Sequence, residues 1–214
     1  IPPNLLNKLQ ALRTDVNASF VDGSAKAYIA RNADGSMNRV ILIFGQRRGG
    51  NRYYALDVTN PSSPQYMWEI NPDASGSLYA EIGVTDPTTG RTGQTWSSPN
   101  IGKIADGTGE KWVVFIGGGY DDNQDNDPVT VSDSKGRALY VVDVLNGSPV
   151  RRFSYSDSGY STMTYSIPSD IGKVDTDGDG KINRLYVGDM GGRMWRFDIS
   201  DPNPANWSGR IIFE

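Results

Sequence analysis

Three glycines, Gly45, Gly117 and Gly188, each close a short apolar run, and they stand 72 and 71 residues apart. The runs before them are Val40-Ile-Leu-Ile-Phe44, Trp112-Val-Val-Phe-Ile116 and Leu185-Tyr-Val187. After each glycine comes a second apolar segment that ends on the same pattern: Leu56-Asp-Val58, Val142-Asp-Val144 and Phe197-Asp-Ile199. Ile101-Gly-Lys103 and Ile171-Gly-Lys173, 70 residues apart, open the second and third copies. Self-similarity at a fixed period means that one small unit is copied along the chain, with neighbouring copies covering each other's apolar faces.

Each copy reads as four strands. Short, period-two apolar segments fall at 27–30, 40–44, 52–58 and 66–70, then at 98–104, 112–116, 138–144 and 150–153, then at 168–174, 185–187, 193–199 and 210–213. Turn residues such as Asp106-Gly107 and Arg47-Arg-Gly-Gly-Asn51 separate them. Four strands are the content of one propeller blade; the period exceeds the usual ~40–50 residues because the loops are long. The predicted fold is all-β: a modified, quinoprotein-like β-propeller of three four-stranded antiparallel blade units, about 20–70, 95–155 and 165–214, around a common axis. Three blades fall short of the usual closed ring, and the chain opens on Ile1, so it is expected to be a piece of a longer protein. Residues 1–19 stand apart. Leu5, Leu6, Leu9 and Leu12, with Asn4 as N-cap, predict a leading helix that packs on the main body. Trp68, Trp112 and Trp195 sit at strand positions and are expected to pack between blades.

The sharpest chemical signal is Asp175-Thr-Asp-Gly-Asp-Gly-Lys-Ile-Asn183. Three carboxylates at alternate positions followed by Gly180 match the opening of an EF-hand calcium loop, where Asp ligands wrap a hard cation and a glycine makes the sharp turn. Position 7 is Lys181, which offers its backbone carbonyl; position 9 is Asn183, an uncharged oxygen donor. Position 12 is Tyr186 instead of a bidentate Glu, so the loop is a shortened one that leads into a strand. Asp175, Asp177, Asp179, Lys181 and Asn183 are therefore the expected Ca²⁺ ligands. The chain has no Cys and no His, which removes His-ligated metal centres and a Ser-His-Asp triad and argues against zinc. No P-loop is present and no catalytic residue is assigned. A net charge of −4 with no basic block argues against nucleic-acid binding.

A second acidic stretch, Asp121-Asp-Asn-Gln-Asp-Asn-Asp127, lacks the glycine and runs into Pro128. It is expected to be a solvated hairpin loop, part of a mobile, dispensable insertion from Gly119 to Lys135. Gly117-Gly-Gly119 is expected to be a tight strand exit, not a phosphate cradle.

The segments Gly50-Asn-Arg-Tyr-Tyr-Ala-Leu-Asp-Val-Thr-Asn-Pro61, Gly117-Gly-Gly-Tyr120 with Leu139-Tyr-Val-Val-Asp143, and 175–199 resemble the C-terminal domain of PilY-type proteins of bacterial type IV pili. The likeness runs from Phe20 to Ile199. It implies a calcium-controlled, non-enzymatic role in pilus biogenesis, twitching motility and surface adhesion at the extracellular pilus tip, outer-membrane-associated after passage through the periplasm. It implies pilins or minor pilins as partners, with a host or surface receptor reached through an N-terminal region absent from this sequence. The family often has Asp where Asn183 stands. The alternatives are a quinone-dependent dehydrogenase on a similar propeller and a passive outer-membrane assembly scaffold.

Overall fold

The computed structural model describes residues 19–72, 92–129 and 131–214, together with Leu6. The leading helix expected over 1–19 lies almost wholly outside the described residues. The strands are β1 (Lys26–Arg31), β2 (Met37–Gly45), β3 (Tyr53–Asp57), β4 (Gln65–Ile70), β5 (Asn100–Asp106), β6 (Gly109–Gly117), β7 (Ala138–Asp143), β8 (Pro149–Ser154), β9 (Gly172–Val174), β10 (Arg184–Gly188), β11 (Met194–Asp198) and β12 (Ser208–Phe213). They form three four-stranded antiparallel sheets, β1 to β4, β5 to β8 and β9 to β12, each in sequence order. Among the described residues no helix is long and apolar enough to cross a membrane.

The repeat in the sequence is a repeat of register. Gly45 lies opposite Tyr53 and Asp57 opposite Ile41. Gly117 lies opposite Leu139 and Asp143 opposite Val113; Gly188 lies opposite Met194 and Asp198 opposite Arg184. In every sheet the aspartate therefore faces the residue four positions before the glycine. Asp57 and Asp143 each accept a hydrogen bond from the backbone N–H two residues on, Thr59 at 3.0 Å and Leu145 at 2.7 Å, so these carboxylates shape the turn that leaves the third strand. The Thr59 hydroxyl and N–H, helped by Arg39, pull the Asp57 carboxyl down to about 2.

The middle sheet is buried on both faces, and its side chains alternate between two cores. Val113, Phe115, Leu139 and Val141 join Leu185, Val187, Trp195 and Phe197 of the third sheet. Their neighbours Val114, Ile116, Tyr140 and Val142 join Ile41, Ile43, Tyr53 and Trp68 of the first. Strands covered on both faces read as continuous apolar runs, which is why Trp112-Val-Val-Phe-Ile116 shows no polar alternation. Trp68 and Trp195 are buried in these seams as expected, with indole N–H groups donated to the Val144 carbonyl and to Asp189 Oδ2. Trp112 also reaches across the seam, to Tyr28 with ring centroids 5.3 Å apart, but it is 41% exposed and so less buried than the other two. It sits on the rim of the seam, beyond the point where the sheets close.

The sheets are also tied by backbone. An isolated antiparallel bridge joins Arg47 to Thr95, and another joins Gly119 to Ile167; both partners are displaced by 72 residues. In each case the loop after the second strand of one sheet grips the segment entering the next. That grip explains the triple glycine. A Cβ on Gly117 would lie 2.2 Å from the Ile167 carbonyl oxygen, and one on Gly118 would lie 2.3 Å from that of Gly136. The stretch is a strand exit crossed closely by neighbouring backbone, as expected.

Gly117→Ala must push backbone against backbone. It is expected to cost about 2–3 kcal/mol and to lower the melting temperature by roughly 5–10 °C. Gly109→Ala, in the same strand with 3.6 Å of clearance to the Asp106 carbonyl oxygen, serves as control in the same thermal scan and should stay within about 0.5 kcal/mol of wild type.

Candidate metal centre

The acidic loop joins β9 to β10 and is pinned at its base. The Asn183 N–H bonds the Val174 carbonyl at 3.1 Å, and the Ile182 N–H bonds the carbonyl of Lys103 on β5 at 2.7 Å. The loop thus belongs to the third sheet but leans on the first strand of the second. Gly178 and Gly180 both adopt positive φ, 79° and 82°, a conformation that lets the chain fold back on Asp175. The Asp175 carboxylate accepts the N–H groups of Gly178 at 2.7 Å and Gly180 at 2.8 Å. These two donors hold its carboxyl below the usual carboxylate value.

The fold brings Asp175, Asp177 and Asp179 together. One carboxylate oxygen from each lies within 4.8 Å of the others, and among the described residues this is the acidic group so gathered. Two oxygens bound to one calcium ion at 2.3–2.6 Å can be at most about 5 Å apart, so the spacing fits a shared ion and the donor set is hard oxygen. The other two expected ligands are placed differently. Lys181 turns its ammonium onto Asp179, which raises the pKa of the lysine and lowers that of the aspartate; only its carbonyl is left as a donor. Asn183 is buried, and its Oδ1 accepts both the N–H and the hydroxyl of Thr176, each at 2.9 Å. A ligand at Asn183 would have to displace one of these bonds. Thr176 is a further residue of the site that the Asp spacing does not point to; its β-hydroxyl inside an acidic loop is the signal the sequence offers.

The second acidic stretch corrects an expectation. Asp121 is buried and accepts the N–H groups of Asn123 at 3.0 Å, Ser134 at 2.6 Å and Lys135 at 2.8 Å. Asp133 is buried too; it accepts Asn123 Nδ2 at 2.9 Å, Gln124 Nε2 at 2.7 Å and the Ser166 N–H at 2.7 Å. The loop is therefore a clasp closed at both ends by carboxylates, with only its middle exposed. Its polar residues read as solvated because most of their partners, the Ser134, Lys135 and Ser166 N–H groups and the Asn123 and Gln124 amides, lie nine or more positions along the chain. Burial pushes the Asp121 carboxyl up, but the three N–H donors outweigh it and the net shift is downward.

Comparison with known proteins places these features in a family. The model described as the PilY1 beta-propeller domain matches residues 5–214. A type IV pilus biogenesis factor PilY1 homolog of Xylella fastidiosa is 28% identical over 201 residues, covering 88% of this chain and 11% of that protein. Type IV pilus biogenesis factor PilY1 of Pseudomonas aeruginosa is 27% identical over 207 residues, covering 93% and 15%. The crystal structure of the Pseudomonas aeruginosa PilY1 C-terminal domain superposes with a TM-score of 0.57 at 26% identity, over 89% of this chain and 35% of that one. The chain thus spans a small part of its relatives.

Asp121→Ala leaves three backbone donors without their acceptor and is expected to cost about 3 kcal/mol near neutral pH. The carboxyl sits below its ordinary value of 3.8 in the fold, so its stabilisation is complete above that value and is lost as pH falls through the lowered one. Urea unfolding of both proteins should show a gap that is flat from about pH 5 to 8 and narrows only below about pH 3.8. No gap at neutral pH would mean that the clasp contributes nothing.

Proposed function

The chain belongs to the PilY1 β-propeller family, and we propose that it acts as a non-enzymatic, calcium-binding part of the type IV pilus machinery. The observation that carries this reading is the cluster of three carboxylates in the β9–β10 loop, set in a chain whose relatives are named as pilus biogenesis factors. Those names also favour a non-enzymatic role over the dehydrogenase alternative. In this proposal the protein works at the extracellular pilus tip with pilins or minor pilins as partners, and contributes to extension and retraction, twitching motility and adhesion.

A bound calcium ion would supply the positive charge that offsets repulsion among the three carboxylates. The chain does the rest. Gly178 and Gly180 aim Asp175 inward, and the Lys181 ammonium neutralises Asp179 until an ion competes for it. The Ile182 bond to the Lys103 carbonyl carries any change in the loop to the second sheet. With two or three charged ligands and no bidentate Glu, the expected Kd lies at roughly 10⁻⁷ to 10⁻³ M. Occupancy of the folded state then adds stability as the logarithm of free calcium, about 2.7 kcal/mol at a hundredfold excess over Kd.

The Asp177 carboxylate makes one weak bond inside the loop, from the Asp179 N–H at 3.5 Å, so Asp177→Ala should leave the apo fold intact. The expected result is loss of the calcium-dependent rise in melting temperature at unchanged apo stability. In the full-length protein the same change should alter the number of surface pili at unchanged protein level. A wild-type calcium response in Asp177→Ala would sink the metal assignment; normal piliation with the response abolished would sink the link between calcium and the pilus.

A further inference from the structure

Arg47 has a φ of +52°, and it is the non-glycine residue among those described with a positive value. Such a backbone is strained for a residue with a Cβ and persists only where its surroundings impose it. Here the Arg47 N–H is held by Thr95 Oγ1 at 2.7 Å, and the next N–H, of Arg48, by Asp22 Oδ1 at 3.1 Å. The result is two adjacent guanidinium groups over a single indole: the Arg47 Cζ lies 4.3 Å from the Trp96 ring centroid and the Arg48 Cζ lies 5.3 Å from it. Trp96 is itself fixed. Its Nε1–H bonds Gln94 Oε1 at 3.0 Å, and the Gln94 amide bonds Asp122 Oδ1 at 2.6 Å.

Among the described residues neither guanidinium has a carboxylate partner, and the Arg47 Nε is buried without a hydrogen bond. Two carboxylates stand close by, and each accepts a hydrogen bond from a neutral donor: Asp125 from the Tyr120 hydroxyl at 2.6 Å and Asp170 from the Ser98 N–H at 2.6 Å. Arg48, Trp96, Tyr120 and Met190 face a cavity of about 730 Å³ beside the segments that enter β5 and β9, and Asp125 and Asp170 are also part of its wall. Tyr120 and Trp96 form a tilted aromatic corner in it, with centroids 6.3 Å apart. Buried polar atoms without partners are uncommon and need an explanation. A stacked arginine keeps its planar fork of donors free for an oxyanion.

We infer that this cavity binds an oxyanion, carboxylate or phosphate, borne on an aromatic body. The anion meets the Arg48 fork and the body covers the Trp96–Tyr120 corner. Arg47, packed on Trp96, adds to the positive field without needing to touch the ligand. The site is separate from the acidic loop and stands or falls independently of calcium.

Benzoate, phenyl phosphate and neutral benzamide are titrated into the ¹⁵N-labelled chain in calcium-free buffer. The readout is the Trp96 indole N–H signal, assigned by its loss in Trp96→Phe. Saturable movement with benzoate, with phenyl phosphate or with both, and not with benzamide, is expected; which of the two acts identifies the anion. Arg48→Gln should weaken the effect about tenfold, the loss expected when a charged hydrogen bond is removed. Since Arg48 is exposed, its melting temperature should be unchanged. Arg47→Gln should weaken binding by a smaller factor. Equal movement with benzamide, no movement with either anion, or an Arg48→Gln response equal to wild type would each overturn the inference.

Discussion

The structure depends on a sheet that has no free face. In β6 and β7 successive side chains go to opposite seams: Phe115 and Val141 to the third sheet, Ile116 and Tyr140 to the first. Each large apolar side chain removed from water contributes about 1.5–3 kcal/mol, and every second residue of the middle sheet makes that contribution to a different neighbour. The outer sheets are thereby held to a common partner instead of to each other. A slip of one residue in β6 would send each side chain into the wrong seam. Register is therefore the quantity that the repeat protects: the third-strand aspartate faces the residue four positions before the glycine in all three copies, although the loops between them differ in length.

Much of this was legible in the chain. Gly45, Gly117 and Gly188 mark where the second strand ends, tightly packed at Gly45 by side chains and at Gly117 by backbone, and Asp57, Asp143 and Asp198 mark where the third strand ends. Both are local requirements, so the glycines are reported by their spacing and the aspartates by the apolar-Asp-apolar ending of each third strand. Asp175, Asp177 and Asp179 were legible for the same reason: a loop that turns back on its own first carboxylate needs its donors within a few residues. What could not be read were the pairings made across sheets. Asp121 and Asp133 look like solvent-facing residues because the N–H groups they satisfy, Ser134 and Ser166 among them, lie 13 and 33 positions away. The Arg47-Arg48 doublet read as an ordinary turn because Trp96, which it covers, belongs to the approach to the next sheet. Trp112 sits at a strand position that promises burial, yet the seam ends before it does.

The two ends of the sheets divide the chemistry between them. At the end where the first strand hands over to the second, the carboxylates of the β9–β10 loop make a negative point close to β5. At the end where the second strand hands over to the third, the Arg47–Thr95 and Gly119–Ile167 bridges bring side chains of neighbouring sheets side by side. Trp96 and Tyr120 meet because the segment at 94–95 is strapped both to the loop before it and to the loop after it. The same strap that joins the sheets also builds the aromatic corner.

Every sheet is made of four consecutive strands, and no strand is exchanged among the three. The chain can therefore acquire structure directionally. Loop-closure entropy rises only slowly with length, and within a sheet each strand is joined to its neighbour by a short hairpin or a single longer clasp. Local pairing of this kind is favoured kinetically over distant pairing. A polypeptide passing end-first through a narrow conduit could form one sheet, then template the next on its apolar face, without waiting for the far terminus. The middle sheet is the step at which two half-covered surfaces become a continuous interior.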